Sequence, residues 1–140
     1  MIFVSAAALA ALTQTALAPP DPDWNCADAI RQQEMNWCAA QDFNAAERAL
    51  KAQWQATAAK MKERDADFAT YQPEGDGRPG WFHRLIKAQR AWLAYREAHC
   101  QLDGYTARGG TLEPLLVSTC MTALTEDRTG ELRALAESPD

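Results

Sequence analysis

Hydrophobic residues recur at helical intervals over most of this chain. From Phe43 onward, Ala46, Leu50, Trp54, Thr57, Met61 and Phe68 return at spacings of three, four and seven, which predicts a long amphipathic helix. Its outer face carries Glu47, Lys51, Lys60, Glu63 and Arg64. Glu47 and Lys51 stand in the favourable order four apart, but an exposed pair of that kind contributes only about 0.3–0.5 kcal/mol, so packing must hold the helix. Upstream, Ala27 to Cys38 reads as a separate short helix. Asp42 and Asn44 compete as N-caps for the long one, Asn44 with Glu47 three residues on, which places a break near Ala40 to Asp42.

The run from Gln72 to Gly80 concentrates proline and glycine and must be a loop. A second long helix follows, with Trp81, Leu85, Ala88, Trp92, Tyr95 and His99 on one stripe. Phe82, Ile86, Gln89 and Leu93 widen that stripe toward a broad buried face at the centre of the core. Asp103-Gly104 through Gly109-Gly110 forms a second loop. Thr111 then serves as N-cap of a last helix with Glu113 and Pro114 in its first turn. Leu112, Leu115, Leu116, Cys120, Leu124 and Leu132 give that helix its apolar side. Gly130 weakens its middle by about 1 kcal/mol relative to alanine, so the end is expected to fray beyond it. No segment alternates as a strand. The pattern predicts an all-α fold, a small antiparallel bundle of about four helices with two Gly/Pro-rich loops.

Composition narrows this picture. With 140 residues and 47% hydrophobic content, the chain makes one domain with one modest core. A net charge of −5 with scattered acids argues against a nucleic-acid surface and permits steering toward a basic partner. Residues 1–18 carry no charge and end in Ala16-Leu17-Ala18, as a signal peptide does; 19–23 is a proline-rich extended linker, and the helical domain spans 24–140. The leader's apolar run is short for a membrane span, so no stable membrane insertion is expected once it is removed. All four cysteines, Cys26, Cys38, Cys100 and Cys120, follow the leader, and an even count in an exported chain reads as two disulfides. Three pairings are open. Zinc is the rival use, but no close Cys-x-x-Cys pair occurs, and His83 and His99 complete no ligand set.

Three motifs span nearly all of the mature chain. The first runs from Cys26 through Ala29, Gln32, Glu34, Met35 and Asn36 to Cys38-Ala39. The second runs from Leu85 through Ala88-Gln89-Arg90-Ala91-Trp92-Leu93 to Tyr95-Arg96 and Cys100. The third runs from Gly109-Gly110-Thr111 through Pro114 and Cys120 to Leu124-Thr125, Arg128 and Leu132. Together they resemble the small exported domain of the LprI-type lysozyme inhibitors, long known as a domain of unknown function. Arg31 departs from the Thr or Ser helix cap usual in that family. Cys26 and Cys38 lie within the first motif, and Cys100 and Cys120 bracket the short excursion between the second motif and the third, which favours Cys26–Cys38 and Cys100–Cys120. Cys26 must then fold back beside the helix that bears Cys38, because a continuous helix would hold the two about 18 Å apart.

The resemblance implies no catalytic residue, no metal and no cofactor, and its repeated residues read as architecture. Gln89, Arg90, Trp92, Arg96 and Arg128 form a structural motif in which arginine stems are buried and heads are hydrogen-bonded. His99 beside Glu97 lacks a nucleophile and reads as a polar residue near a helix end. Trp24, Trp37 and Trp54 read as core in preference to a sugar platform. Loops on a cross-linked scaffold are where binding sits, so Glu74, Asp76, Arg78 and Arg108 are the candidate partner-binding residues. The resemblance implies a periplasmic or secreted bacterial binding protein and not an enzyme. Its expected partner is a lysozyme-like muramidase, inhibited by cleft occlusion; the alternative is another envelope protein, bound by a non-inhibitory assembly module.

Overall fold

The computed structural model describes residues 22–139; the expected leader and most of the linker lie outside them. Among the described residues three helices make the fold: α1 (Gln32–Tyr71), α2 (Trp81–Gly104) and α3 (Glu113–Glu137), with 3₁₀ turns at Cys26–Asp28 and Tyr105–Ala107. No described residue is in a strand. None of the helices is long and apolar enough to cross a membrane. The fold is all-α, but three helices replace the expected four. The break near Ala40 to Asp42 does not occur, because the 40 residues of α1 contain no glycine or proline and are rich in alanine. Asp42 and Asn44 simply face solvent as exposed residues within the helix. At about 1.5 Å per residue α1 is roughly 60 Å long.

The short helix expected over Ala27 to Cys38 is not a separate element: Gln32 to Cys38 is helical as the first turns of α1, and only the stretch before it is not. Cys26 lies in a 3₁₀ turn capped by Asn25, whose Oδ1 accepts from Ala27 N–H at 3.1 Å, and the chain is extended before α1 begins. Arg31 occupies the N-cap position, and a guanidinium has no acceptor to offer. Glu34 compensates by reaching back to the backbone N–H groups of Ile30 and Arg31 and pairing with the Arg31 side chain. Those bonds hold the Glu34 carboxyl below the usual carboxylate range. At the other end Gln72 N–H closes on Phe68 O at 2.8 Å, and Pro73 stops the helix.

α1 and α3 form the most extensive contact, and they run parallel. Asn36 donates to Thr111 O at 2.9 Å and Thr57 to Leu132 O at 2.8 Å, both 75 residues apart, while Arg64 donates to Leu135 O at 3.2 Å. That nearly constant offset defines two helices in parallel register, with α2 packed beside them and running in the opposite direction. Leu50, Ala58, Met61, Leu85 and Leu132 form the core, with Trp54, Phe82 and Trp92 packed against it. The core therefore centres on the α1–α3 seam and not on α2. On α2 the buried line is Leu85, Gln89, Arg96 and Cys100 with Trp92 half-buried; Ala88, Tyr95 and His99 of the expected stripe are exposed. Glu47 is likewise not on an outer face: it turns to Arg96 of α2.

Two further boundaries differ from expectation. α2 runs through Gly104, and α3 starts after Leu112, so Thr111 is not its N-cap; the Thr111 carbonyl is already engaged by Asn36. α3 also continues past Gly130 to Glu137, held at its end by Arg64, which donates to the carbonyls of Leu135 and Ser138. Gly130 is exposed, and a Cβ there meets no atom within 4 Å. Gly130→Ala is therefore expected to raise stability by about 0.5–1 kcal/mol. Denaturant unfolding followed by circular dichroism checks this, and a destabilised variant would show that the space is not free.

Both disulfides adopt the favoured pairing, Cys26–Cys38 and Cys100–Cys120, and no described cysteine is free. They sit where α1 begins, α2 ends and α3 begins. One end of the bundle is covalently stapled, and the end carrying the 72–80 loop is not.

Candidate functional site

The polar motif of α2 is internal. Arg96, 7% exposed, pairs with Glu47 and donates to Thr125 Oγ1 at 2.7 Å, and its guanidinium lies over the rings of Trp92 (4.8 Å) and Phe43 (5.2 Å). Arg128, 9% exposed, donates to Gln89 Oε1 at 3.0 Å, pairs with Glu131 at 2.7 Å and brings its guanidinium to 5.9 Å from the Trp92 ring. Trp92 thus lies against two arginines that tie α1, α2 and α3 together. Arg90 is exposed and stands apart from this cluster. The tryptophans do not assemble into a platform: Trp24 meets Trp37 edge-on at 5.9 Å near the N-terminus, whereas Trp54 packs on the core about 25 Å further along α1. His99 stacks on Tyr95 at 5.1 Å. Among the described residues no group of three or more His, Cys, Asp or Glu side chains is arranged to hold a metal ion.

The unstapled end is built differently. Asp65 of α1 caps α2 from outside: its carboxylate accepts the N–H groups of Trp81 at 2.7 Å and Phe82 at 3.0 Å. This approach needs the bare Gly80, since a Cβ there would lie 2.4 Å from Asp65 Oδ1. Phe68 and Trp81 meet edge-on at 5.4 Å across the same junction. Between them opens a mainly apolar cleft of about 550 Å³, floored by Met61, Leu85 and Leu135 and rimmed by Asp76, Arg78 and Arg84.

The 72–80 loop crosses this rim. Gly75 and Gly77 take positive φ, +68° and +76°, and Gly75 N–H closes a turn on Gln72 O at 2.8 Å. Asp76 clasps Arg78 twice, through its guanidinium and through its backbone N–H at 2.9 Å. The side-chain bond to Arg78, then the backbone bond, hold the Asp76 carboxyl below the usual carboxylate range; the same pairing raises Arg78. Because the folded value is the lower one, the clasp's contribution is complete above the ordinary carboxylate pKa and is lost as pH falls through the lowered value. In an NMR titration the Asp76 carboxyl should therefore show its midpoint below about 3.9, the ordinary aspartate value, and return toward it in Arg78→Ala. An ordinary midpoint in the parent protein would mean that the clasp is open in solution.

Of the four candidate binding residues, Asp76 and Arg78 come together on the cleft rim. Glu74 is exposed on the same loop, outside the cleft lining. Arg108 lies at the opposite end of α2, its guanidinium 4.6 Å from the Tyr105 ring, and the 24 residues between place it about 36 Å away. The sequence reading missed Tyr71, which stands 88% exposed at the root of the loop, and Asp65, which anchors its far side. An aromatic directly before a proline-glycine loop was a readable signal for Tyr71. Asp65 carried none, because its partners are 16 and 17 residues away.

The description Lysozyme inhibitor LprI matches residues 25–132 of the chain. The uncharacterized protein R02472 of Rhizobium meliloti (strain 1021) is 40% identical over 121 residues, covering 86% of this chain and 84% of the relative. No solved structure matches the chain. With the family match running from the turn before Cys26 to the fully buried Leu132, and so through both disulfides and the arginine-tryptophan cluster, the chain belongs to the LprI lysozyme inhibitor family.

Proposed function

We propose that this protein is a periplasmic or secreted inhibitor that occludes the cleft of a lysozyme-like muramidase with its 72–80 loop. Membership of the LprI lysozyme inhibitor family carries this reading. The two disulfides fit a protein that works outside the cytoplasm. The loop fits the task physically. It is exposed, restrained by the Asp76–Arg78 clasp and the Asp65 cap, and flanked by an exposed tyrosine of the kind that anchors interfaces. Restraint before binding lowers the ordering cost of association. The net charge of −5, with Glu74 on the loop, attracts a basic enzyme, and Arg78 is placed to exchange its Asp76 partner for a carboxylate of the enzyme's cleft. Catalysis has no part in this reading; the family's named activity is inhibition.

The test is a titration of the oxidised protein against muramidase activity on cell walls, with binding followed in parallel. Saturable inhibition near one-to-one stoichiometry is expected. Exchanging 72–79 for a neutral Gly/Ser loop should abolish it while helical content is retained. Absence of binding at high micromolar concentration overturns the inhibitor reading, whereas undiminished inhibition after loop exchange overturns only the loop's role.

A further inference from the structure

One side of α2 is left uncovered by the described residues. Ala88, Ala91, Tyr95, Ala98 and Leu102 are all exposed and recur at alternating spacings of three and four; Trp81 and Arg84 extend the series at one end and Tyr105 at the other. This is an a/d heptad seam over more than three heptads, the spacing by which one helix packs along another. It adjoins the buried line of α2 and opens at its Trp81 end into the apolar cleft. The apolar periodicity of α2 is therefore wider than its contacts with α1 and α3 require.

We infer that this seam pairs with the same seam of a second copy, antiparallel, across a two-fold axis between Ala91 and Tyr95. Three observations select that occupant. First, the antiparallel register is self-complementary: Ala91 faces Tyr95 and Ala88 faces Ala98 of the other copy, so the alanines allow close approach at the centre, while Arg84 lies along Leu102 and Trp81 meets Tyr105 at the two ends. Second, the exposed charges of α2 are segregated, with Arg84, Lys87 and Arg90 in its first half and Glu97 and Asp103 in its second. Antiparallel pairing lays opposite signs together, as it does the two helix dipoles; parallel pairing would oppose like charges. Third, the area is sufficient. Tyr95 is 53%, Leu102 66%, Tyr105 47% and Trp81 42% exposed. With the alanines these open surfaces offer roughly 500 Å² per copy at 150–250 Å² per aromatic. The total of about 1,000 Å² reaches the lower edge of specific interfaces, that of a weak, concentration-dependent dimer.

The pairing does not rest on the muramidase reading, but it bears on it. Arg108 and the 72–80 loop, at opposite ends of one chain, become neighbours across the interface, so each end of the dimer presents the 72–80 loop of one copy beside Arg108 of the other.

Sedimentation equilibrium of the oxidised protein tests this. The apparent mass should rise from monomer to dimer between micromolar and submillimolar concentration. Ala91→Glu and Ala98→Glu, on exposed sites of a good helix former, should weaken the dimer at least about tenfold by placing unpaired charge in the seam, with circular dichroism unchanged. Glu131→Ala, exposed on α3 and outside the seam, should leave it unaltered. A protein that stays monomeric at submillimolar concentration, or a dimer indifferent to both glutamates, overturns the proposal. Lysozyme binding by a monomeric seam variant separates the two readings, since loss of the dimer with inhibition intact removes only the composite surface.

Discussion

Replacing Cys100 and Cys120 together by alanine is expected to lower the free energy of unfolding by about 3 kcal/mol, the entropic effect of releasing a loop of this length in the unfolded chain. The bridge spans 20 residues, and Cys100 is fully buried against α3, so its loss also frees the close contact of α2 with α3 at its crossing. The Cys26–Cys38 bridge closes a loop of 12 and would give a similar number by loop length alone. Its effect should nevertheless be less than half as large. It ties down only a short turn whose main packing is Trp24 on Trp37, and once cut this segment can loosen without opening the α1–α3 seam. Denaturant unfolding of the two double variants decides the matter, and a larger loss from the N-terminal bridge would show that the turn is integral to the core.

Truncating Arg96 should cost about as much. Arg96→Ala removes a side chain packed against Trp92 and Phe43, leaves the fully buried Thr125 hydroxyl without its donor, and strips Glu47 of its partner. Cavity and lost polar contacts together suggest about 3 kcal/mol. The charge itself is not the stabilising part. Arg96 Nε and Arg128 Nη2 are buried with no hydrogen-bond partner, and Glu47 is 40% exposed, so water screens the pair. Arg96→Met, which restores the packing volume, is therefore expected to recover half or more of the loss. If methionine proves as harmful as alanine, the ion pair and not the packing is what matters at this position.

How much of this was legible in the sequence follows from what each signal depends on. The 72–80 loop, the start of α2 and the all-helical class rest on local chemistry, proline, glycine and apolar spacing, and stand where that chemistry puts them. Asp42 and Asn44 misled because a capping residue looks the same at a helix start as on a solvent-facing turn; only the alanines around them decide, through a continuous helix. The face of α2 was partly misplaced for a related reason. Leu85, Gln89 and Trp92 of the expected face do lie on the contact line, but Arg96 is buried while Ala88 and Tyr95 are not, so hydrophobicity gave one edge of the face correctly and the other wrongly. The parallel pairing of α1 with α3 and the Asp65 cap are relations between distant residues, and no single-sequence pattern encodes them. The same logic applies to the candidate binding residues: their loop positions are readable, but which loops share an end of the bundle is not.

The stapling of one end alone gives the bundle a mechanical polarity. Around Cys100 and Cys120 α2 and α3 cannot part, whereas at the far end non-covalent contacts hold the helices, among them the Asp65 cap, the Arg64 bonds, the Phe68–Trp81 pair and the apolar packing of Met61, Leu85 and Leu132. Amide exchange should accordingly be graded along the long axis: slowest beside the bridges, faster through partial opening in the first turns of α2 and the last turns of α3. Such a gradient would make the molecule a pair of tongs hinged at the Cys100–Cys120 bridge, with the 72–80 loop at the tips.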